Sequence, residues 1–259
     1  MQLEQLEFVR YEKRDRVAYV TINRPDVMNA LHPGANEELA RVWDDFAVDP
    51  DAWVAILTGA GDRAFSAGND LKWTALHGVP RMPAGGFGGI VSRDIWKPLI
   101  AAVNGVALGG GLEIALACDV IIAADHAKLG LPEPRVGLMA AAGGVHRLPR
   151  HVPLKIAMGM MLTGRHITAA EAYRIGLVNE VVPGGELMAT AERWAREIAE
   201  CSPLSVQATK QAALQGLGKP LAEAMGGSYP AVQKLFTSED VVEGPRAFAE
   251  KRKPKWTVG

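Results

Sequence analysis

The stretch NGVALGGGLEIALACD, residues 104–119, decides how the rest of the chain is read. Its three consecutive glycines, Gly109 to Gly111, run into an apolar segment, which predicts a tight turn opening a buried helix at about 110–117. On either side, 99–103 (LIAAV) and 119–124 (DVIIAA) read as short buried strands. Further out, 53–57 (WVAIL) is another strand, and it leads into the small-residue turn Phe65-Ser66-Ala67-Gly68-Asn69-Asp70-Leu71. Residues 15–23 (DRVAYVTIN) alternate like a strand, and 34–48 carry helical spacing through Leu39, Ala40, Val42, Trp43 and Phe46. A strand–turn–helix rhythm repeats, which places the chain in the α/β class. The Gly- and Pro-rich stretch from Gly78 to Gly89 predicts a mobile loop of the kind that lies over sites.

Beyond Thr168 the pattern turns helical. Thr168-x-x-Glu171 matches a capping box, a last strand is expected at 178–182, and a helix at about 186–200. Ser202-Pro203 starts the next helix, and 219–236 and 239–252 continue the helical run. The expected organisation is therefore an α/β core over 1–200 and a helical region over 201–259.

Composition narrows the function classes. Hydrophobic residues make up 48% and charged residues 22%, as in ordinary globular chains, and the net charge of −1 gives no general attraction to nucleic acid. The two cysteines, Cys118 and Cys201, form no disulfide framework or Cys-x-x-Cys motif, which fits a reducing cytoplasm. No secretory signal is expected at the N-terminus, and the apolar stretch 99–118 is interrupted by Asn104, three glycines and Glu113, so no membrane span is expected.

Familiar site chemistries fail on spacing. A dinucleotide fingerprint built on Gly109 and Gly111 needs a third glycine at 114, which is Ile114. A phosphate loop built on Gly105 and Gly110 needs lysine at 111, which is Gly111. There is no Gly-x-Ser-x-Gly elbow and no His-Glu-x-x-His, and the six histidines lack metal-ligand spacing, so no metal is expected.

What remains is a carboxylate in an apolar setting. Glu113 is the sole charged side chain between Lys97 and Asp119. Two readings stay open: a helix N-terminus favouring a carboxylate, or a group lining a cavity with water or a proton-exchange partner. Glu133, in Leu131-Pro132-Glu133-Pro134, reads by itself as a surface turn. Gly109-Gly110-Gly111 lets a ligand oxygen approach backbone N–H groups, a candidate oxyanion hole, and the turn at 65–71 offers small residues for a second donor.

Taken in order, FSAGNDL (65–71), NGVALGGGLEIALACD (104–119), LGLPEPRVGLMAAAGG (129–144), LTGRHITAAEAYRIGLVNEVV (162–182) and EGPRAFAEKRKPKW (243–256) resemble the successive signatures of the crotonase, or enoyl-CoA hydratase/isomerase, superfamily. Asn23-Arg24-Pro25 through Asn29-Ala30-Leu31 resembles its N-terminal motif. The resemblance implies a spiral of repeated ββα units with a C-terminal helical region that supports a homotrimer or homohexamer. It implies oxyanion-hole N–H groups at Ala67 and Gly110, and the acid pair Glu113 and Glu133 of a hydratase. It also implies a coenzyme A thioester lined by Ser66, Gly68, Asn69, Asp70, Leu71 and Gly109, with Phe248 and Lys251 reaching CoA from the tail, sometimes of a neighbouring subunit.

The implied reaction is reversible addition of water to a 2-enoyl-CoA, with no cofactor beyond the substrate's own CoA. Glu113 would deprotonate water for attack at C3 while Glu133 delivers a proton to C2. A carnitinyl-CoA dehydratase-like member and an enoyl-CoA isomerase are the enzymatic alternatives, and a noncatalytic or RNA-binding crotonase the alternative of another class. Retention of both acids favours hydratase or dehydratase over isomerase. Two departures stand out: Met139-Ala140-Ala141-Ala142 where many relatives carry Pro then Gly or Asp, and Asp26 where some carry a CoA-contacting Lys.

Overall fold

The computed structural model describes residues 6–257. The chain opens with the antiparallel pair β1 (Val9–Arg14) and β2 (Val17–Ile22). The expected strand at 15–23 starts two residues late, because Asp15 and Arg16 form the two-residue hairpin turn with φ of 50° and 67°. A turn with both central residues left-handed ordinarily signals itself through Asn-Gly. Here no glycine marks it, and the Arg16 guanidinium stacks over the Trp53 ring at 3.6 Å.

Helix α1 (Pro33–Val48) packs Leu39, Val42, Trp43 and Phe46 into the core. Then the repeat begins. β3 (Val54–Gly59), β4 (Ala64–Ser66) and α2 (Leu71–His77) form one turn of a spiral, and β5 (Leu99–Val103), β6 (Val106–Leu108) and α3 (Gly110–Ala117) form the next. β7 (Val120–Ala124) and β8 (Lys128–Gly130) start a third, continued by α4 (Gly144–His151) and α5 (Leu154–Thr163). β9 (His166–Thr168), α6 (Ala169–Arg174), β10 (Glu180–Val182) and α7 (Leu187–Ala199) complete the body.

Each turn delivers one strand to each of two sheets. The larger has the order β1-β2-β3-β5-β7-β10, parallel from β2 onward, and the smaller has the order β4-β6-β8-β9, parallel across β4, β6 and β8. Such parallel strands must be covered on both faces, which is why β5 reads as an unbroken apolar run and is buried at every position. Asn29 and Asn104, both flagged by the signature motifs, hold the β3–β4 connection: Asn29 Nδ2 donates to the carbonyls of Ala60 and Ala64, and Asn104 Nδ2 to those of Gly59 and Gly61.

The capping box at Thr168 and Glu171 forms with both bonds present, and Ser202 caps α8 (Pro203–Gly216) through the Ser205 N–H. The helix expected over 219–236 is broken into α9 (Leu221–Met225) and α10 (Pro230–Phe236), because Gly226, Gly227 and Pro230 intervene. α11 (Asp240–Ala249) follows. No helix among the described residues is long and apolar enough to cross a membrane.

The 78–89 stretch runs as an irregular loop up to Gly86 and ends in the 3-10 turn Phe87–Gly89. Its end is pinned: Gly88 N–H donates to Asn36 Oδ1 at 2.7 Å, Trp43 Nε1 donates to the Gly88 carbonyl at 3.0 Å, and Phe87 is buried. Glycine is required here for close approach, since a Cβ on Gly89 would meet the Ala40 backbone at 2.5 Å.

Candidate active site

The parallel strands β4, β6 and β8 lie side by side, so the segments leaving their carboxyl ends are neighbours: 67–71, 109–113 and 131–133. Ligand sites gather at such strand ends. Contacts close the set. A Cβ on Gly68, whose φ is +87°, would sit 2.7 Å from the Leu108 carbonyl and 2.8 Å from the Gly110 nitrogen. Gly109 N–H donates to the Gly130 carbonyl at 2.9 Å, and a Cβ on Gly109 would lie 3.1 Å from Glu133 Oε1. The Phe87 ring covers the other side of Gly110, where a Cβ has no room.

Glu113 lies in the first turn of α3, a helix buried along its length, and only 3% of it is exposed. Its Oε1 accepts from the Gly144 N–H at 2.7 Å. Burial pushes its carboxyl up to about 7; the N–H groups of Gly144 and Ala142 and the charge of Arg147 oppose that rise, while the negative charge of Glu133 adds to it. Glu133 opens the one-turn 3-10 helix Glu133–Val136 and is held above the usual carboxylate range by burial. Its Oε2 is buried without a hydrogen-bond partner among the described residues. An unpartnered buried carboxylate oxygen favours the protonated acid, whose O–H can be offered to a ligand.

The donor turn at 66–69 corrects one expectation. Ala67 N–H is already bound to the Met28 carbonyl at 2.9 Å, as the chain leaves β4 alongside the left-handed Met28. Two positions on, Asn69 N–H makes no hydrogen bond to a protein acceptor among the described residues, and neither does Gly110 N–H at the start of α3. Ser66 is corrected as well: it is fully buried, its hydroxyl donates to the Asn29 carbonyl at 2.8 Å and accepts from Gly68 N–H at 3.1 Å, so it shapes the turn and presents nothing to a ligand. Asp70 caps α2 through Trp73 N–H and pairs with Arg24 at 3.1 Å, while Leu71 is exposed beside it.

The tail positions lie elsewhere on the chain. Phe248 is 87% exposed on α11, and Lys251, exposed with φ of 54°, follows it. The segment after α11 runs to Glu200, whose carbonyl accepts from Trp256 Nε1 at 2.8 Å. Within one chain neither residue hydrogen-bonds to the glutamates or the glycine turns. Four features escaped the reading of the sequence: the Asn69 N–H, the Phe87 ring, the Gly144 N–H and Arg147. Asn69 and Gly143-Gly144 carried a visible signal, within FSAGNDL and the MAAAGG run respectively.

Two carboxyl groups of unequal environment lie beside free N–H groups from two turns, an arrangement that suits proton transfer next to an anionic oxygen. The comparisons with known proteins place the chain in the same class. It belongs to the enoyl-CoA hydratase/isomerase family, whose model matches residues 12–258, and hence to the crotonase superfamily. It is 44% identical over 257 residues to the (E)-benzylidenesuccinyl-CoA hydratase of Thauera aromatica, covering 95% of this chain and 97% of that one. It is 40% identical to the carnitinyl-CoA dehydratase of Escherichia coli strain K12, covering 96% and 98%. Among solved structures, an enoyl-CoA hydratase from Mycobacterium marinum superimposes with a TM-score of 0.92 at 40% identity, covering 97% of this chain and 99% of that one.

Proposed function

We propose that the protein is a hydro-lyase that adds water reversibly across the double bond of a 2-enoyl-CoA thioester. The observation that carries this reading is the pairing of Glu113 and Glu133 in unlike environments next to the Gly110 turn. The Asn69 and Gly110 N–H groups receive the thioester oxygen as an enolate develops, each such donor being worth ~3 kcal/mol in the transition state. Glu113, held by Gly144 N–H, takes a proton from water attacking C3, acting in its ionised form. Glu133, with a buried unpartnered oxygen, delivers a proton to C2, acting in its protonated form.

The curated relatives favour a second reading within the same chemistry, elimination of water from a carnitinyl-type thioester. The supporting features proposed alongside are Phe248 and Lys251 completing the CoA site of a neighbouring subunit, residues 201–259 as the assembling region of a trimer or hexamer, a cytoplasmic location, and no metal, nicotinamide or flavin. A panel of 2-enoyl- and 3-hydroxyacyl-CoA thioesters followed by absorbance of the conjugated double bond tests the reading. Hydration or dehydration of at least one thioester, unaffected by a chelator, is the expected result. Turnover abolished by chelation and restored by a metal, or no absorbance change with any thioester, overturns it.

A further inference from the structure

Glu113 has one cation in its surroundings, Arg147, three residues beyond Gly144 on the same helix turn. Arg147 Nη2 donates to the Val91 carbonyl at 2.7 Å, and its Nη1 lies so close over Gly143 that no Cβ fits there. Gly144, the next residue, donates to Glu113 and has its α-carbon against the same carboxylate, where a Cβ would come within 3.0 Å of Oε1. Glu113 and Arg147 therefore grip consecutive residues of one turn, and Arg147 ties that turn to the segment that follows Phe87. The guanidinium is half-buried and forms no ion pair with a carboxylate among the described residues. A half-buried cation without a carboxylate partner is disfavoured, and an ionised Glu113 nearby offsets part of that cost.

The other titratable groups around the pair are accounted for. Glu133 faces Glu113 from the 3-10 turn and disfavours its ionisation. Cys118, at the end of α3, faces Arg147 and stays a neutral thiol, pushed up to about 12 chiefly by burial. His151, at the end of α4, is held toward the neutral ring by burial and by Arg147 itself. Of the cations lining the cavity on the far side of Arg147, Arg93 pairs with Asp44, Lys210 pairs with Asp119, and Arg150 donates to the His146 carbonyl.

We infer that Arg147 is a positioning residue: it fixes the Gly143–Gly144 turn against the Val91 segment, holds the Gly144 N–H on the Glu113 carboxylate and favours the ionised form of that carboxylate. The catalytic part of this inference rests on the hydratase reading, whereas the electrostatic part does not. Two variants separate charge from shape, Arg147→Gln, which loses the charge, and Arg147→Lys, which keeps it without the fork. The measurements are the pH profile of kcat/KM on the best enoyl-CoA and a carbon-13 NMR titration of Glu113, assigned through its loss in Glu113→Gln.

In Arg147→Gln both the acid limb and the Glu113 titration are expected to move up by about one pH unit, lowering kcat/KM roughly 10-fold on the acid side. Arg147→Lys is expected to keep the wild-type titration while losing kcat through the displaced turn. An unshifted Glu113 in a folded Arg147→Gln, or a Glu113 shifted equally in both variants, overturns the inference. If Arg147→Gln does not fold, a displaced Glu113 titration in Arg147→Lys overturns it alone. If no thioester is hydrated, the hydratase reading fails, and the NMR titration still decides the electrostatic part.

Discussion

At the scale of single residues, the buried glutamate is a site where function and stability oppose one another. Glu113→Gln and Glu133→Gln are each expected to retain CoA-thioester binding and lose hydration by at least ~100-fold, the lower range for a positioned acid or base. Single-turnover rates beside binding titrations check both. The wild-type kcat/KM is expected to fall as pH drops through about 7, because the base role proposed for Glu113 requires its ionised form. The same carboxyl has a stability signature of opposite direction. Its folded pKa lies above the ordinary carboxylate value, so the folded state binds the proton more tightly than the unfolded chain. Its ionisation is therefore no burden below about pH 4, and the destabilisation grows as pH rises from there to about 7, reaching ~3 kcal/mol at most. Glu113→Gln is accordingly expected to melt at a higher temperature than wild type at pH 8, the difference shrinking toward pH 4. Equal melting temperatures at pH 8 would mean the carboxylate is better solvated than its burial implies.

At the scale of elements, the site depends on two turns touching with no side chain between them. Gly68→Ala would force a Cβ into the Leu108 carbonyl and the Gly110 nitrogen at a positive φ, so a loss of several kcal/mol of stability and of activity together is expected. Gly78→Ala is the control: its backbone, at φ +83° and ψ −179°, also favours glycine, but nothing lies within 4 Å, so only a backbone penalty of about 1–3 kcal/mol and near-normal turnover are expected. Denaturant unfolding and turnover of the two variants check this. The same geometry explains what the sequence could and could not convey. β5 and α3 were legible to the residue, because an all-apolar run between glycine signals is unambiguous in a covered parallel sheet. The three-residue strands β4, β6 and β8 were not, being too short to show a period, although they carry the whole site to one edge. Glu113 stood out as a lone charge in an apolar helix, and Glu133 only through the family resemblance, since its burial arises from packing against Gly109. The Ala67 assignment could not be checked by pattern, because which N–H in a turn stays free depends on the distant Met28 carbonyl.

At the scale of the whole molecule, the tail helices pose a question that one chain does not answer by itself. α8 buries Leu204 and Ala208 and is anchored by Lys210, which donates to the Lys97 carbonyl at 3.0 Å and pairs with Asp119 at 2.7 Å. Beyond it the apolar side chains face outward: Leu217 is 70% exposed, Leu221 75%, Met225 79% and Phe236 70%. Short helices of this kind draw their stability from packing an apolar face, and large contiguous apolar surfaces mark contacts between proteins. In the proposed trimer or hexamer these side chains are buried and Phe248, exposed on α11, contributes to a neighbour's CoA site. Replacing Leu217 and Phe236 together with glutamate is therefore expected to shift the protein to monomers in sedimentation velocity, and to raise the KM for enoyl-CoA through loss of the neighbour's contribution. Phe248→Ala with Lys251→Ala is expected to raise KM about 10-fold or more while the assembly stays intact, separating the contact with substrate from the contact between chains. A monomeric Leu217/Phe236 variant with wild-type KM and kcat would show that each chain carries a complete site, and the tail would then have no part in binding CoA.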